Sequence, residues 1–439
     1  MMYEELYRTK LTDAETAVSQ IASGSSVALG MAMSQPPALM QALADRARAG
    51  KVDDVKLYYF QSEDQLQRTL LRYELMGRIK PFCLFLAVAE RDLIKQGEQD
   101  GGRKVVFFVP NHFSQSIRIF AENIPIETFL VAVSPMDRNG YFTFGTNNDY
   151  TATVARQARR LIVEVNRHMP RVFGRSLLHA SEADAIIEHD APLPVLASKP
   201  ITAEEQEISQ RIAELVPERA CLQMGIGGLP NAVCSALLDR KDLGIHTELL
   251  SPGLVNLIKH GVVTNRWKTT DPGKSVFTFA MGDQDFYDFI HDNPAIESHP
   301  VDYVNNPAVI AQNDRVVSVN ATIEMDLTGA CNSEYLKGHQ YSATGGQLDF
   351  VRGAYASRGG VSIIAFPSSI GNGKISKIVP HLAGPVTTPR TDVQYVVTER
   401  GMANLKGLSS TKRAHALIGL AHSAFQEQLT AAAKEMHLI

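Results

Sequence analysis

The sequence predicts an α/β protein made of two tandem, internally duplicated domains, each built on a largely parallel, buried sheet. Three observations carry that prediction. Short β-branched runs alternate with helical segments along all 439 residues, the pattern of strands joined by helical crossovers. A strand-loop-helix unit near the start recurs near the middle. A proline-rich stretch lies between the two copies.

The strand-like runs fall at residues 26–29, 105–109, 161–165, 316–319, 361–366 and 393–397. The repeat reads GMAMSQPPALMQALADR over residues 30–46 and GIGGLPNAVCSALLDR over 225–240. With one gap, Gly30 aligns with Gly225, Pro36 with Pro230, Ala38 with Ala232, and Asp45-Arg46 with Asp239-Arg240. Agreement at both ends of the helix, and not only on its apolar face, points to duplication. Residues 191–200 hold three prolines, Pro192, Pro194 and Pro200, and form the expected linker. Thr202, with Glu205 three positions on, then reads as a helix capping box. The expected domains are therefore 1–190 and 200–439.

Composition bounds the function. Apolar residues make up 44% and charged residues 21%, with a formal net charge of −4. That balance belongs to a globular protein and favours neither nucleic acid nor a membrane surface as partner. Six arginines (Arg156, Arg159, Arg160, Arg167, Arg171 and Arg175) flank the apolar run Leu161-Ile162-Val163. They read as solvated faces around a buried strand, with an anion-binding rim as the alternative. The start, Met1-Met2-Tyr3-Glu4-Glu5, has no apolar signal core, and the longest apolar stretch, around Phe82 to Ala89, is too short to span a bilayer. Cys83, Cys221, Cys234 and Cys331 show neither CxxC pairing nor zinc-ligand spacing. A cytoplasmic protein with no metal is expected.

The copies diverge at the residues able to do chemistry. Gly227-Gly228 has no counterpart in Met33-Ser34, and the slot of Glu248 falls near Tyr58 in the first copy. In the second copy a strand runs into Gly225-Ile226-Gly227-Gly228-Leu229-Pro230, and a helix is expected over 231–239 with Pro230 in its first turn. Such a helix start presents unpaired N–H groups and partial positive charge to an anion or a developing oxyanion. Glu248 returns on the next strand. Each feature alone also fits a structural role, as an ordinary glycine turn or a solvated glutamate. The loop is no dinucleotide fingerprint, because proline replaces the third glycine, and residues 368–375 are no P-loop, because Ser368 and Ile375 occupy its required positions.

Six blocks, taken in order, resemble the acetyl-CoA hydrolase/transferase family, a branch of the family I coenzyme A transferases. They lie at residues 133–142 (VSPMDRNGYF), 165–171 (VNRHMPR), 225–230 (GIGGLP), 246–248 (HTE), 345–354 (GGQLDFVRGA) and 375–380 (ISKIVP). The pattern is most similar to members acting on 4-hydroxybutyrate, butyrate and acetate. The resemblance implies the fold shared by CoA-transferases and sugar-phosphate isomerases, with coenzyme A as substrate and covalent intermediate. It places the catalytic glutamate at Glu248 and a CoA-binding loop over Gly225, Ile226, Gly227, Gly228 and Leu229. Further CoA contacts are implied at Ile323, Gly346 and Lys374, and neighbours of the reacting carbonyl at Gln223 and Asn320, with the Gly227 and Gly228 amides as oxyanion donors. It also implies acyl-CoA and short-chain carboxylates as partners, and a homodimer.

One departure is visible. The family carries Ser-Asp-Gly after the glutamate, whereas this chain has Ser251-Pro252-Gly253; the loop or the acyl acceptor is expected to differ, and the nucleophile remains. A glutamate near its reference pKa, about 4.3, is expected to be ionised at neutral pH and to attack without a general base. The walls of an acyl pocket are sought in the first copy at Met31, Gln35, Tyr58 and His112, each of which also reads as core. Acyl-CoA hydrolysis is the competing enzymatic reading, and a non-catalytic ligand-binding module on the same fold is the competing reading from another class.

Overall fold

The computed structural model describes residues 2–196 and 200–439, so Ala197, Ser198 and Lys199 of the expected linker lie outside the described residues. The described residues form two compact units, 2–196 with 278–303, and 200–277 with 304–439. Residues 278–303, placed by the sequence reading in the second domain, thus pack with the first unit. Backbone and amide groups hold them there: Asn148 donates its N–H to the Thr278 carbonyl at 2.9 Å and its Nδ2 to the Ser298 carbonyl at 2.9 Å. The strand Ile296–Ser298 also pairs in parallel with Phe173–Gly174.

The first unit carries a seven-stranded sheet in the spatial order Ala185–Glu188, Arg160–Val165, Thr128–Val133, Ser26–Leu29, Val55–Tyr59, Ile79–Cys83, Phe107–Phe108. Every pairing in it is parallel. Thr128–Val133 is buried at all six positions, as a central parallel strand covered on both faces must be. Of the run expected over 105–109, only Phe107–Phe108 pairs. The strand Ile79–Cys83 was not expected. Pro81, which cannot donate to a ladder, sits inside it opposite Leu57.

The sheet of the second unit repeats this order as Gly401–Asn404, Tyr395–Thr398, Val361–Ala365, Val316–Asn320, Cys221–Met224, Gly244–Leu250. All pairings are parallel except the closing hairpin of the first two. In each unit the strand that opens the repeat, Ser26–Leu29 or Cys221–Met224, has the next strand on one side and a later one on the other. The duplication is therefore one of topology as well as sequence.

Register corrects one equivalence. Ser26 pairs with Lys56, and Cys221 with Gly244; because Gly30 and Gly225 match, so do Ser26 and Cys221. Glu248, four residues beyond Gly244, then corresponds to Phe60 rather than Tyr58. Phe60 is a buried ring packed on Phe113 and Tyr150, so the first copy fills with hydrocarbon the position that holds the acid in the second.

Local signals behave as their chemistry requires. Thr202 caps Ala203–Leu215, its Oγ1 accepting from the Glu205 N–H at 3.2 Å while Glu205 Oε2 accepts from the Thr202 N–H at 2.9 Å. Part of the arginine-rich stretch is occupied structurally: Arg156 pairs with Glu182, Arg167 with Asp190, and Arg171 with Asp137, while Arg175 lies over the Tyr303 ring. All four cysteines are free and buried.

Candidate active site

Glu248 lies near the carboxyl end of Gly244–Leu250, the end of a parallel sheet at which α/β proteins bind ligands. Two donors fix it, both within the second unit. Its Oε2 accepts from Asn305 Nδ2 at 2.6 Å. The backbone N–H of Gly346 also donates to it, and Gly346 is the N-cap of the helix Gln347–Ala356. The carboxylate thus faces the positive end of a helix. Asp349, in the first turn of that helix and buried, opposes it with like charge.

Gly346 has a strict steric reason to be glycine. A Cβ built there lands on the Glu248 carboxylate and the Asn305 amide, well inside van der Waals contact. Two residues before Glu248, on the same face of the strand, buried His246 bonds through Nε2 to the Val304 carbonyl at 2.8 Å. A carbonyl only accepts, so Nε2 carries the proton. That bond pins the backbone next to Asn305.

Burial pushes the Glu248 carboxyl up to about 7, Asn305 and the Gly346 N–H hold it lower, and Asp349 adds to the rise. This overturns the expectation of a fully ionised glutamate at neutral pH. The sequence places an acid here but says nothing of its desolvation.

The glycine loop stands alongside. Leu222 pairs with Ile245, and continuing that register sets Gly225 opposite Glu248. Thr247 Oγ1 links the strands, donating to the Met224 carbonyl at 3.3 Å. Gly227 has φ +117°, a conformation reserved in practice for glycine. The helix begins at Gly228 and ends at Ala236, three residues earlier at each end than expected from the sequence. Pro230 keeps its place in the first turn, while Gly228 and Leu229 join the helix. A Cβ at Gly228 strikes the Glu205 carboxylate, so that acid already borders the loop.

Gln223 and Asn320 meet at the ends of neighbouring strands, Asn320 Nδ2 donating to Gln223 Oε1 at 3.2 Å. Ile323 lies beyond the strand that ends in Asn320, its N–H bonded to the Asn332 carbonyl. Lys374 is exposed in the turn between Ser369–Ile370 and Ile375–Ser376. The structure therefore gathers Glu248, Gly346 and the glycine loop, pairs Gln223 with Asn320, and sets Ile323 and Lys374 on flanking loops without contact to the carboxylate. Pro252 opens the helix Pro252–Lys259, where a missing N–H is costless, and supplies no charge.

Asn305 and Asp349 escaped the sequence reading. Asn306 caps Pro307–Ile310 through its side chain, which accounts for one asparagine of Asn305-Asn306-Pro307 and leaves the other unexplained. That leftover was the available signal. Of the pocket residues expected in the first unit, Met31 and Gln35 are buried and Tyr58 and His112 half-buried; the Gln35 amide donates to the Gln61 carbonyl at 3.0 Å, and Tyr58 stacks on Phe82 with centroids 4.8 Å apart. Among the described residues no cluster of three or more His, Cys, Asp or Glu side chains is arranged to hold a metal, and no helix is long and apolar enough to cross a membrane.

Comparison with known proteins follows the same lines. The acetyl-CoA hydrolase/transferase N-terminal domain matches residues 1–197, and the C-terminal domain of that name matches residues 282–433. The chain is 43% identical to the succinyl-CoA:cyclohexane-1-carboxylate CoA transferase of Geobacter metallireducens, over 100% of this chain and 98% of that one. It is 40% identical to the 4-hydroxybutyrate coenzyme A transferase of Clostridium kluyveri, over 98% of each. The crystal structure of RipA from Yersinia pestis superimposes with a TM-score of 0.98 at 59% identity, over 100% of both chains.

Proposed function

The chain belongs to the acetyl-CoA hydrolase/transferase family, and from that premise we propose that it moves coenzyme A between a short-chain acyl-CoA and a free carboxylate through a thioester on Glu248. Acetyl-, butyryl- and 4-hydroxybutyryl-CoA are the proposed donors, with acetate among the acceptors. The observation that carries this reading is the Glu248 carboxylate clamped by Asn305 at 2.6 Å against the start of a helix, beside a glycine loop with room for a ligand's backbone contacts.

In the proposed cycle, ionised Glu248 attacks the acyl-CoA carbonyl carbon. The C–S bond breaks, CoA leaves as thiolate, and an acyl-glutamyl anhydride remains. The thiolate attacks the glutamyl carbonyl carbon, releasing the first carboxylate and leaving CoA on Glu248. An incoming carboxylate attacks that thioester and the steps reverse, regenerating free Glu248 and a new acyl-CoA. Each tetrahedral intermediate carries an oxyanion. The N–H groups at Gly227 and Gly228 and the Asn320 amide are the proposed donors, each worth about 3–4 kcal/mol of barrier. Gly225, Ile226 and Leu229 line the path of CoA in this reading, with Ile323 and Lys374 reaching it from flanking loops.

Burial holds the free Glu248 carboxyl at about 7. It is ionised enough to attack and is held where small shifts on substrate binding decide its state. Hydrolysis is the second reading, favoured by the part of Glu248 that stays accessible in the free chain; water reaching the anhydride or thioester yields acid and free CoA. The proposal also places the protein in the cytoplasm as a homodimer, in keeping with four buried, unpaired cysteines. Initial rates with butyryl-CoA and acetate test it. Parallel double-reciprocal lines are expected, and intersecting lines, or CoA release independent of acetate, would reject transfer through a covalent enzyme.

A further inference from the structure

The second unit has a cleft of about 540 Å³ lined by Arg219, Trp267, Asp314, Arg315, Arg358 and Gly359. That volume is within the ordinary range of small-ligand sites. Arg219 lies two residues before Cys221–Met224, Arg315 immediately precedes Val316–Asn320, and Arg358 lies three residues before Val361–Ala365. These strands are parallel, so the cleft sits at their amino ends, whereas Glu248 stands towards the carboxyl end of the neighbouring strand.

Its charges are unbalanced. Three guanidiniums face one carboxylate, and that carboxylate is taken: Asp314 pairs with Arg358 through both oxygens. Of the other nearby acids, Asp242 accepts from Thr264 at 3.0 Å, is bonded by Trp267 and feels the charges of Arg266 and, more weakly, Arg219, while Glu218 offers Arg315 its backbone carbonyl at 3.0 Å. Arg219 and Arg315 have no carboxylate within 4 Å among the described residues. Arg219 is instead laid on the Trp267 ring, 3.9 Å from its centroid, which fixes the guanidinium plane without neutralising it. A guanidinium stacked on a ring, with no carboxylate within 4 Å and a second guanidinium lining the same cleft, suits an oxyanion that spans both.

We propose that this cleft binds the phosphate chain of a di- or triphosphate, with Arg219 and Arg315 as its principal ligands and Trp267 as the platform that holds Arg219. Arg219 already occupies one face of the indole, so the contact assigned here is to the phosphates. Inorganic oligophosphate and a nucleoside triphosphate share that chemistry.

Trp267 is the only tryptophan of the chain, so its fluorescence reports on this cleft directly. The full-length protein is titrated with tripolyphosphate, ATP and orthophosphate at physiological ionic strength, where exposed charges are screened beyond about 8 Å. Tripolyphosphate and ATP are expected to give saturable changes of similar midpoint, and orthophosphate a far weaker one. The double variant Arg219→Gln with Arg315→Gln is expected to raise the midpoint at least about tenfold, the loss of roughly one charge-assisted bond, while CoA transfer is unchanged. Asp314→Asn, which removes the competing carboxylate, is expected to lower it. A response to ATP without one to tripolyphosphate would overturn the assignment to a phosphate chain. So would no saturable response to either, or a response that survives in the double variant.

Discussion

Removing the Asn305 side chain isolates the electrostatics of the candidate nucleophile. The Asn305 amide is fully buried and donates to Glu248 Oε2 at 2.6 Å, stabilising the ionised form against the burial that raises its pKa to about 7. A hydrogen bond to a charged group contributes about 1.5–3 kcal/mol, and one pKa unit is about 1.4 kcal/mol. Asn305→Ala is therefore expected to raise the titration midpoint by about one to two units. The nucleophile is the ionised form, so activity is present above the midpoint and lost as pH falls through it. At pH 7 the ionised fraction drops from about one half to between about one-tenth and one-hundredth. The assay is kcat/KM for butyryl-CoA from pH 5 to 10, which follows groups of the free enzyme. The expected variant is several-fold to some fifty-fold slower at pH 7 and recovers much of the deficit by pH 9. A uniform loss at every pH, with the midpoint unmoved, would refute the claim that Asn305 acts through the charge of Glu248.

Other perturbations follow from the same geometry. Gly346→Ala drives a methyl group onto the Glu248 carboxylate and the Asn305 amide, and is expected to lower transfer by at least about a hundredfold while circular dichroism stays that of the parent. Thr202→Ala removes the cap of Ala203–Leu215 and should lower stability to urea by about 1 kcal/mol, with KM for acyl-CoA unchanged. Glu63, Glu164 and Glu248 are each raised to about 7, and Asp149 to about 6, all chiefly by burial. The folded chain then holds more protons than the unfolded one between about pH 4.5 and 7, so the stability these groups contribute is present on the acidic side and lost as pH rises. Thermal melting is expected at higher temperature at pH 5.5 than at pH 7.5. Glu164→Gln, which spares the acceptor for the Ala38 and Leu39 N–H groups, should flatten that dependence.

What the sequence made legible was local. Glycine loop and glutamate lie within 25 residues of each other on consecutive strands, so neighbourhood along the chain became neighbourhood in space. The Thr202 capping box was readable because both partners lie within one turn. Asn305 was not, since it reaches Glu248 across 57 positions and its amide has no local signature. Pro81 hid a strand, because a missing N–H argues against pairing and the sheet accepts it nonetheless. A gapped alignment put the first-copy slot of Glu248 two residues from Phe60, where ladder register places it. The assignment of residues 278–303 to the first unit depends on bonds such as Asn148 to Ser298, which no periodicity announces. Ionisation was the largest miss, because desolvation belongs to the packed environment and not to the residue type.

The central claim is a covalent bond between CoA and Glu248, and the mass of the enzyme tests it most directly. Protein incubated with butyryl-CoA and no acceptor, then quenched and digested, should yield the peptide holding Glu248 heavier by one CoA condensed with loss of water. Added acetate should discharge it as acetyl-CoA, and Glu248→Gln should never acquire it. A parent enzyme that turns over acyl-CoA while that peptide stays unmodified would contradict the account.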